Sequence, residues 1–125
     1  MRYLGIDYGQ KRIGLALSDP EGRMAFPRAT VQTLGEVAAV LQAAGARRIV
    51  VGLPLDARGR FGPPAKAVLR FVADLREKVQ LPIALENELL TSALARRHTR
   101  REKADASAAA LILQSYLDRK NAKIK

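Results

Sequence analysis

The sequence predicts an α/β fold: one mixed sheet, with a three-strand antiparallel portion followed by parallel strands, and helices on both faces. Three observations carry this reading. The chain opens on strand-like segments separated only by turns. After Thr33, helical and strand patterns alternate. Ile49-Val50-Val51-Gly52-Leu53-Pro54 is a short continuous apolar run with β-branched residues, the pattern of a buried central strand.

The elements follow in order. Leu4-Gly5-Ile6-Asp7-Tyr8-Gly9 reads as a strand ending in a glycine-containing turn, and the continuation to Asp19 holds a second strand. Leu4, Ile6 and Tyr8 are expected on one sheet face, and Tyr3, Gly5 and Asp7 on the other. Asp19-Pro20-Glu21-Gly22 is a turn signal. A third strand is expected from Met24 to Val31, with Pro27 marking an edge or a bulge. Thr33-Leu34-Gly35-Glu36 has capping-box spacing and opens a helix packed through Leu34, Val37, Ala38 and Leu41, which Gly45 stops. Leu55 to Pro64, with Gly59, Gly62, Arg58 and Arg60, reads as an exposed loop. Pro64 suits the first turn of the next helix, expected to pack through Ala65, Val68, Leu69, Val72, Leu75 and Val79. Pro82 to Glu86 is the last strand. A short helix from about Thr91 to Arg97 precedes a basic segment, and a final helix runs from about Lys103 to Arg119, packed through Leu111, Ile112 and Leu117. The tail from Lys120 is expected to fray.

Composition bounds the function. At 125 residues the chain suits a single domain spanning 1–125, with 48% hydrophobic residues to build a core. No stretch reaches transmembrane length and no signal-peptide pattern precedes the first strand, so a soluble, cytoplasmic protein without a membrane partner is expected. The absence of Cys excludes disulfides, thiol nucleophiles and thiolate zinc sites. The single histidine, His98, lies in a cationic run and reads as part of a solvated basic face; a two-histidine metal site is excluded. The formal net charge of +10 favours a polyanionic partner, DNA or RNA.

If the chain is catalytic, carboxylates carry the chemistry. Asp is depleted in strands, so Asp7 at a strand end requires a reason. It serves either as a turn residue in Asp-x-Gly or as the first ligand of a metal site. Glu86 and Glu88 close the last strand, where a helix cap is the alternative role. Asp105 falls in line with Ala108, Ala109, Ile112 and Tyr116, on the apolar side of its helix; complementing the helix dipole is its alternative role. Two or three carboxylates bind Mg²⁺ or Mn²⁺ through hard oxygen atoms and leave positions for water and phosphate oxygens. Arg58 and Arg60 suit contact with a phosphate backbone, with a plain solvated connection as the alternative.

Gly5 to Asp19, in full Gly-Ile-Asp-Tyr-Gly-Gln-Lys-Arg-Ile-Gly-Leu-Ala-Leu-Ser-Asp, resembles the opening motif of the YqgF family. These are bacterial Holliday-junction-resolvase-like proteins, also described as nucleases for the 5′ end of the small-subunit ribosomal RNA precursor. Val50-Val51-Gly52-Leu53-Pro54-Leu55 is similar to a second family motif, and Lys103 to Leu117 resembles the closing one. The resemblance implies a ribonuclease-H-like fold and a divalent-metal nuclease site with Asp7, Glu88 and Asp105 as catalytic and metal-binding residues and Mg²⁺ or Mn²⁺ as cofactor. Lys11, Arg12, Arg58, Arg60, Arg96, Arg97, Arg100 and Arg101 are the expected nucleic-acid contacts. The substrate implied is precursor ribosomal RNA or branched DNA, and the protein a monomer or a homodimer. Two positions depart from the family's Asp-Glu-Arg-Leu-Thr/Ser-Thr stretch. Asn87 stands for Asp and brings no charge, and Leu89 stands for Arg and cannot grip a phosphate. Weakened activity and compensation by Arg96, Arg97, Arg100 or Arg101 are both open, as is a basic RNA-binding assembly factor. A two-lobed sugar kinase or actin-like ATPase shares the Asp-x-Gly opening but needs a longer chain.

Overall fold

A computed structural model describes residues 1–87 and 101–122. Five strands form one sheet: β1 (Tyr3–Tyr8), β2 (Ile13–Ser18), β3 (Ala25–Val31), β4 (Arg48–Leu53) and β5 (Ile83–Asn87). Their spatial order is β3-β2-β1-β4-β5. β1 pairs antiparallel with β2, and β2 with β3, while β1–β4 and β4–β5 are parallel. Among the described residues three helices cover it: α1 (Leu34–Ala44), α2 (Pro63–Lys78) and α3 (Arg101–Ala122).

Local chemistry explains the boundaries. Thr33 caps α1 in a complete capping box: its Oγ1 accepts from the Glu36 N–H at 3.1 Å, and Glu36 Oε1 accepts from the Thr33 N–H at 3.1 Å. Gly45 ends that helix in the left-handed region at φ 67°, where a side chain would be strained. Pro63 and Pro64 open α2, where missing N–H groups cost little. Pro27 lies on edge strand β3, beside a register shift against Leu15 and Ala16.

The sheet has two unlike faces. On one, Leu4, Ile6, Ile13, Leu15, Ile49, Val51 and Leu53 bury against Val37 and Leu41 of α1 and Ala65, Val68, Phe71, Val72 and Leu75 of α2. On the other, Tyr3, Ala16 and Val50 bury against Ala109, Ala110, Ile112, Leu113 and Leu117 of α3. Tyr3, Gly5 and Asp7 therefore share the α3 face, as the alternation predicts.

Some packing positions differ from expectation. Leu69 and Leu111 are each 37% exposed. Each stands at the margin of its apolar stripe, where helical spacing alone does not decide which side turns inward. Phe71 takes the α2 core place instead and stacks on Tyr8, ring centroids 4.5 Å apart. The last helix is longer than predicted at both ends, beginning at Arg101 and continuing through Lys120 to Ala122. Lys120 is held there by its ammonium group, which donates to the Tyr3 hydroxyl. The short helix expected over Thr91–Arg97 lies outside the described residues. No helix among the described residues is long and apolar enough to cross a membrane.

Candidate active site

Glycines let α3 settle onto the sheet. A Cβ at Gly5 would stand 2.7 Å from Leu113 Cβ and 3.0 Å from the Ala109 carbonyl oxygen. A Cβ at Gly14 would stand only 2.0 Å from the carbonyl oxygen of Asp105. The main chain of α3 at Asp105 therefore rests directly on Gly14. In the antiparallel register Gly14 is the partner of Asp7, and such partners have Cα atoms about 4.5–5.5 Å apart. Two glycines and a strand register thus bring together Asp7 and Asp105, which are far apart in the chain.

Asp7 is 8% exposed, and the Asp105 side chain is 27% exposed. Arg12 Nε lies 3.3 Å from Asp105 Oδ2. The hairpin turn delivers this arginine: the Gly9 N–H donates to the Arg12 carbonyl at 2.9 Å, just before β2 begins. Arg12, expected to contact nucleic acid, thus has the candidate ligand Asp105 as its ion-pair partner.

Glu86 is buried, 4% exposed, and lies on the α3 face two strands from Asp7. It pins the other end of the helix. Arg119 holds it with two hydrogen bonds, Nη1 to Oε2 at 2.7 Å and Nη2 to Oε1 at 2.5 Å, and the Ser115 hydroxyl donates to Oε2 at 2.9 Å. The carboxylate raises the Arg119 pKa above its ordinary value, chiefly through these hydrogen bonds. On the opposite flank Gln114 accepts from the Ala25 N–H and donates to the Arg23 carbonyl, both at 2.8 Å. Both flanks of the C-terminal half of α3 are thus tied to the sheet.

The loop after β4 is built on Asp56. Its Oδ1 accepts from the N–H groups of Arg58 at 2.9 Å and Arg60 at 2.8 Å, while Oδ2 meets Arg60 Nε at 2.8 Å. The Arg60 N–H, reinforced by the Arg60 side chain, holds the Asp56 carboxyl below the usual carboxylate range. Arg60 is therefore partly neutralised, and Lys11, Arg58 and Arg60 are all exposed. Glu88, Arg96, Arg97, His98, Arg100 and the side chain of Arg101 lie outside the described residues.

The donor set fits a hard divalent cation. Mg²⁺ is commonly held by one or two carboxylates, with waters and substrate phosphates completing its shell. Among the described residues no three acidic or histidine side chains converge, and the candidate ligands among them are Asp7 and Asp105. Sequence reasoning named both residues as candidates. It did not anticipate the Arg12 pairing or the Glu86–Arg119 pin, because only the tertiary register creates them.

A five-strand mixed sheet in this order, with a strand-end aspartate under a helix-borne one, defines a ribonuclease-H-like domain. The solved structures agree in fold. Thermus thermophilus RuvC in complex with a Holliday junction substrate superposes with a TM-score of 0.63 at 16% identity, over 97% of this chain and 96% of that one. A second T. thermophilus RuvC structure gives 0.59 at 18% identity. The model of the RuvX family, described as Holliday junction resolvase, matches residues 1–119. Two proteins named "Putative pre-16S rRNA nuclease" are similar over most of their lengths. That of Chloroflexus aggregans is 40% identical, covering 92% of each chain. That of Geobacillus kaustophilus is 39% identical, over 96% of this chain and 99% of its own. The chain belongs to the RuvX (YqgF) family.

Proposed function

We propose that residues 1–125 act in the cytoplasm as a single nuclease domain that uses a divalent metal to hydrolyse phosphodiester bonds at the 5′ end of the 16S ribosomal RNA precursor. The observation that carries this reading is the seating of Asp105 on Gly14, the register partner of Asp7. Asp7 and Asp105, joined by Glu88, hold the ion, Mg²⁺ or Mn²⁺. When bound, such an ion stabilises charge on the phosphate and lowers the pKa of its water. Arg12 fixes the Asp105 carboxylate and offsets its charge. Lys11, Arg58, Arg60, Arg96, Arg97, Arg100 and Arg101 supply positive charge for the phosphate backbone, in keeping with the net charge of +10. Branched DNA is the second reading, favoured by the family description as Holliday junction resolvase. A dimer suits a two-fold symmetric junction, and a monomer suits RNA end-processing.

The test is cleavage with Mg²⁺ or Mn²⁺ of a precursor 16S fragment, a four-way DNA junction and linear controls. Asp7→Asn, Glu88→Gln and Asp105→Asn are each expected to abolish cleavage while leaving binding intact or tighter. Salt-dependent binding without any cleavage by the wild type, or normal cutting by these variants, refutes the nuclease reading. The spread of rates across the three substrates distinguishes RNA from branched DNA.

A further inference from the structure

Phe61 is a ring that the core leaves out. It is 54% exposed, whereas Phe71 ten residues later is buried. An exposed phenyl ring on a loop keeps an aromatic face open for stacking. Its neighbours indicate what chemistry suits it. The exposed Arg58 lies in the same loop, and the protein carries a net charge of +10. An exposed aromatic ring and an exposed arginine three residues apart in one loop suit a nucleobase with its phosphate, since every base offers a stacking face.

The loop is also held in place. Leu55 packs against the core at its start. The Asp56 N–H donates to the Arg60 carbonyl at 3.1 Å, closing the turn immediately before Phe61. Gly62 and Pro63 then lead into α2. The ring is therefore presented from an anchored turn, and little conformational entropy is lost when a base stacks on it.

Its position relates it to the candidate active site. Ile6 pairs with Val51, so Asp7 and Gly52 follow at the same level, and the loop leaves from that edge of the sheet. Strand spacing, extended chain and the closed turn together bound the separation of Asp7 and Phe61 at roughly 28 Å. That is less than one duplex turn of about 34 Å, so one substrate molecule spans both places.

We propose that Phe61 and Arg58 form a stacking platform for an unpaired base of the substrate, the ring taking the base and the guanidinium the adjoining phosphate. This rests on the nuclease reading for its substrate class, and the test separates the two. The chain has no Trp, so Phe61→Trp introduces a single fluorescent reporter at the platform. Binding is measured without divalent metal to single-stranded RNA, single-stranded DNA and an abasic sugar-phosphate strand of equal length. Quenching of the Phe61→Trp variant by base-bearing strands and not by the abasic strand is expected; the stronger of the RNA and DNA arms identifies the source of the base. Phe61→Ala is expected to weaken binding of the base-bearing strand about 5- to 150-fold and leave the abasic strand within about twofold. Arg58→Ala is expected to weaken both. Equal losses on both strands for Phe61→Ala, or unchanged affinity with unquenched Phe61→Trp, overturn the proposal. Wild-type cleavage alongside such a result leaves the nuclease reading standing, whereas base-dependent quenching without cleavage supports the platform and removes the nuclease.

Discussion

Gly14→Ala adds one methyl group at the most crowded point between sheet and helix. The new Cβ would stand 2.0 Å from the Asp105 carbonyl oxygen, 2.3 Å from its carbonyl carbon and 3.0 Å from the Ala106 nitrogen. Ordinary contact begins at 3.4 Å, so the separation must grow by 3.4 − 2.0, about 1.4 Å. All three obstructing atoms are backbone, and no rotamer change relieves the clash. The far part of α3 is held by Ser115 and Arg119 on Glu86 and by Gln114 on β3, so the helix lifts at its Asp105 end. Overpacking of this kind costs about 1–3 kcal/mol, a fall in Tm of roughly 3–15 °C for a domain of this size. Displacing a catalytic group by about 1 Å costs on the order of 100-fold in rate. Cleavage is therefore expected to fall about 100-fold at a temperature where the variant is fully folded. Gly5→Ala is the comparison. Its Cβ meets Leu113 Cβ at 2.7 Å and the Ala109 oxygen at 3.0 Å, and Leu113 is about 12 Å along the helix from Asp105. It is expected to lower Tm while costing much less activity. Thermal unfolding and metal-dependent cleavage measured on both variants decide the matter. Cleavage by Gly14→Ala within twofold of wild type, or no lower than that of Gly5→Ala, refutes the role given to this contact.

Two further outcomes concern groups outside the candidate site. Arg119→Ala removes two of the hydrogen bonds that hold the buried Glu86 and leaves it the Ser115 hydroxyl, and is expected to cost about 1–3 kcal/mol in urea unfolding. The low end applies because the Arg119 side chain is 54% exposed. Adding Glu86→Gln is expected to restore part of the loss, since the buried charge is then gone. Asp19 accepts from the N–H groups of Arg23 at 2.7 Å and Met24 at 3.1 Å, which lowers its carboxyl pKa from the usual 3.8. A depressed folded value means stabilisation present above the unfolded pKa and lost as pH falls through the folded one. The stability advantage of wild type over Asp19→Asn is therefore expected to shrink on acidification below about pH 4, read from urea midpoints across pH.

The sequence made the architecture legible because its local signals agree with one another. The Thr33–Glu36 capping box, Gly45, the apolar run of β4 and Pro27 at an edge each state a boundary that tertiary packing also favours. Asp7 and Asp105 stood out as candidates for the opposite reason: a carboxylate at a strand end and another on an apolar helix side break local rules. What remained hidden depends on register. Nothing within Lys11-Arg12-Ile13 indicates that Arg12 meets a residue as distant in the chain as Asp105. Spacing alone does not separate Glu86 from Glu88, which the family motif favours; the structure commits Glu86 to Arg119 and Ser115. Leu69 was expected in the core and Phe71 was not, and the direction of α2 over the sheet reverses them.

The same geometry bears on the departure at residue 87. β5 alternates: Ile83 packs toward the α1 and α2 core, while Glu86 faces α3. Asn87 is odd-numbered like Ile83 and lies level with Leu53, which also belongs to that core side. Asp7 and Asp105 lie on the α3 side. The charge missing at Asn87 is thus missing from the face opposite the one that carries Asp7 and Asp105.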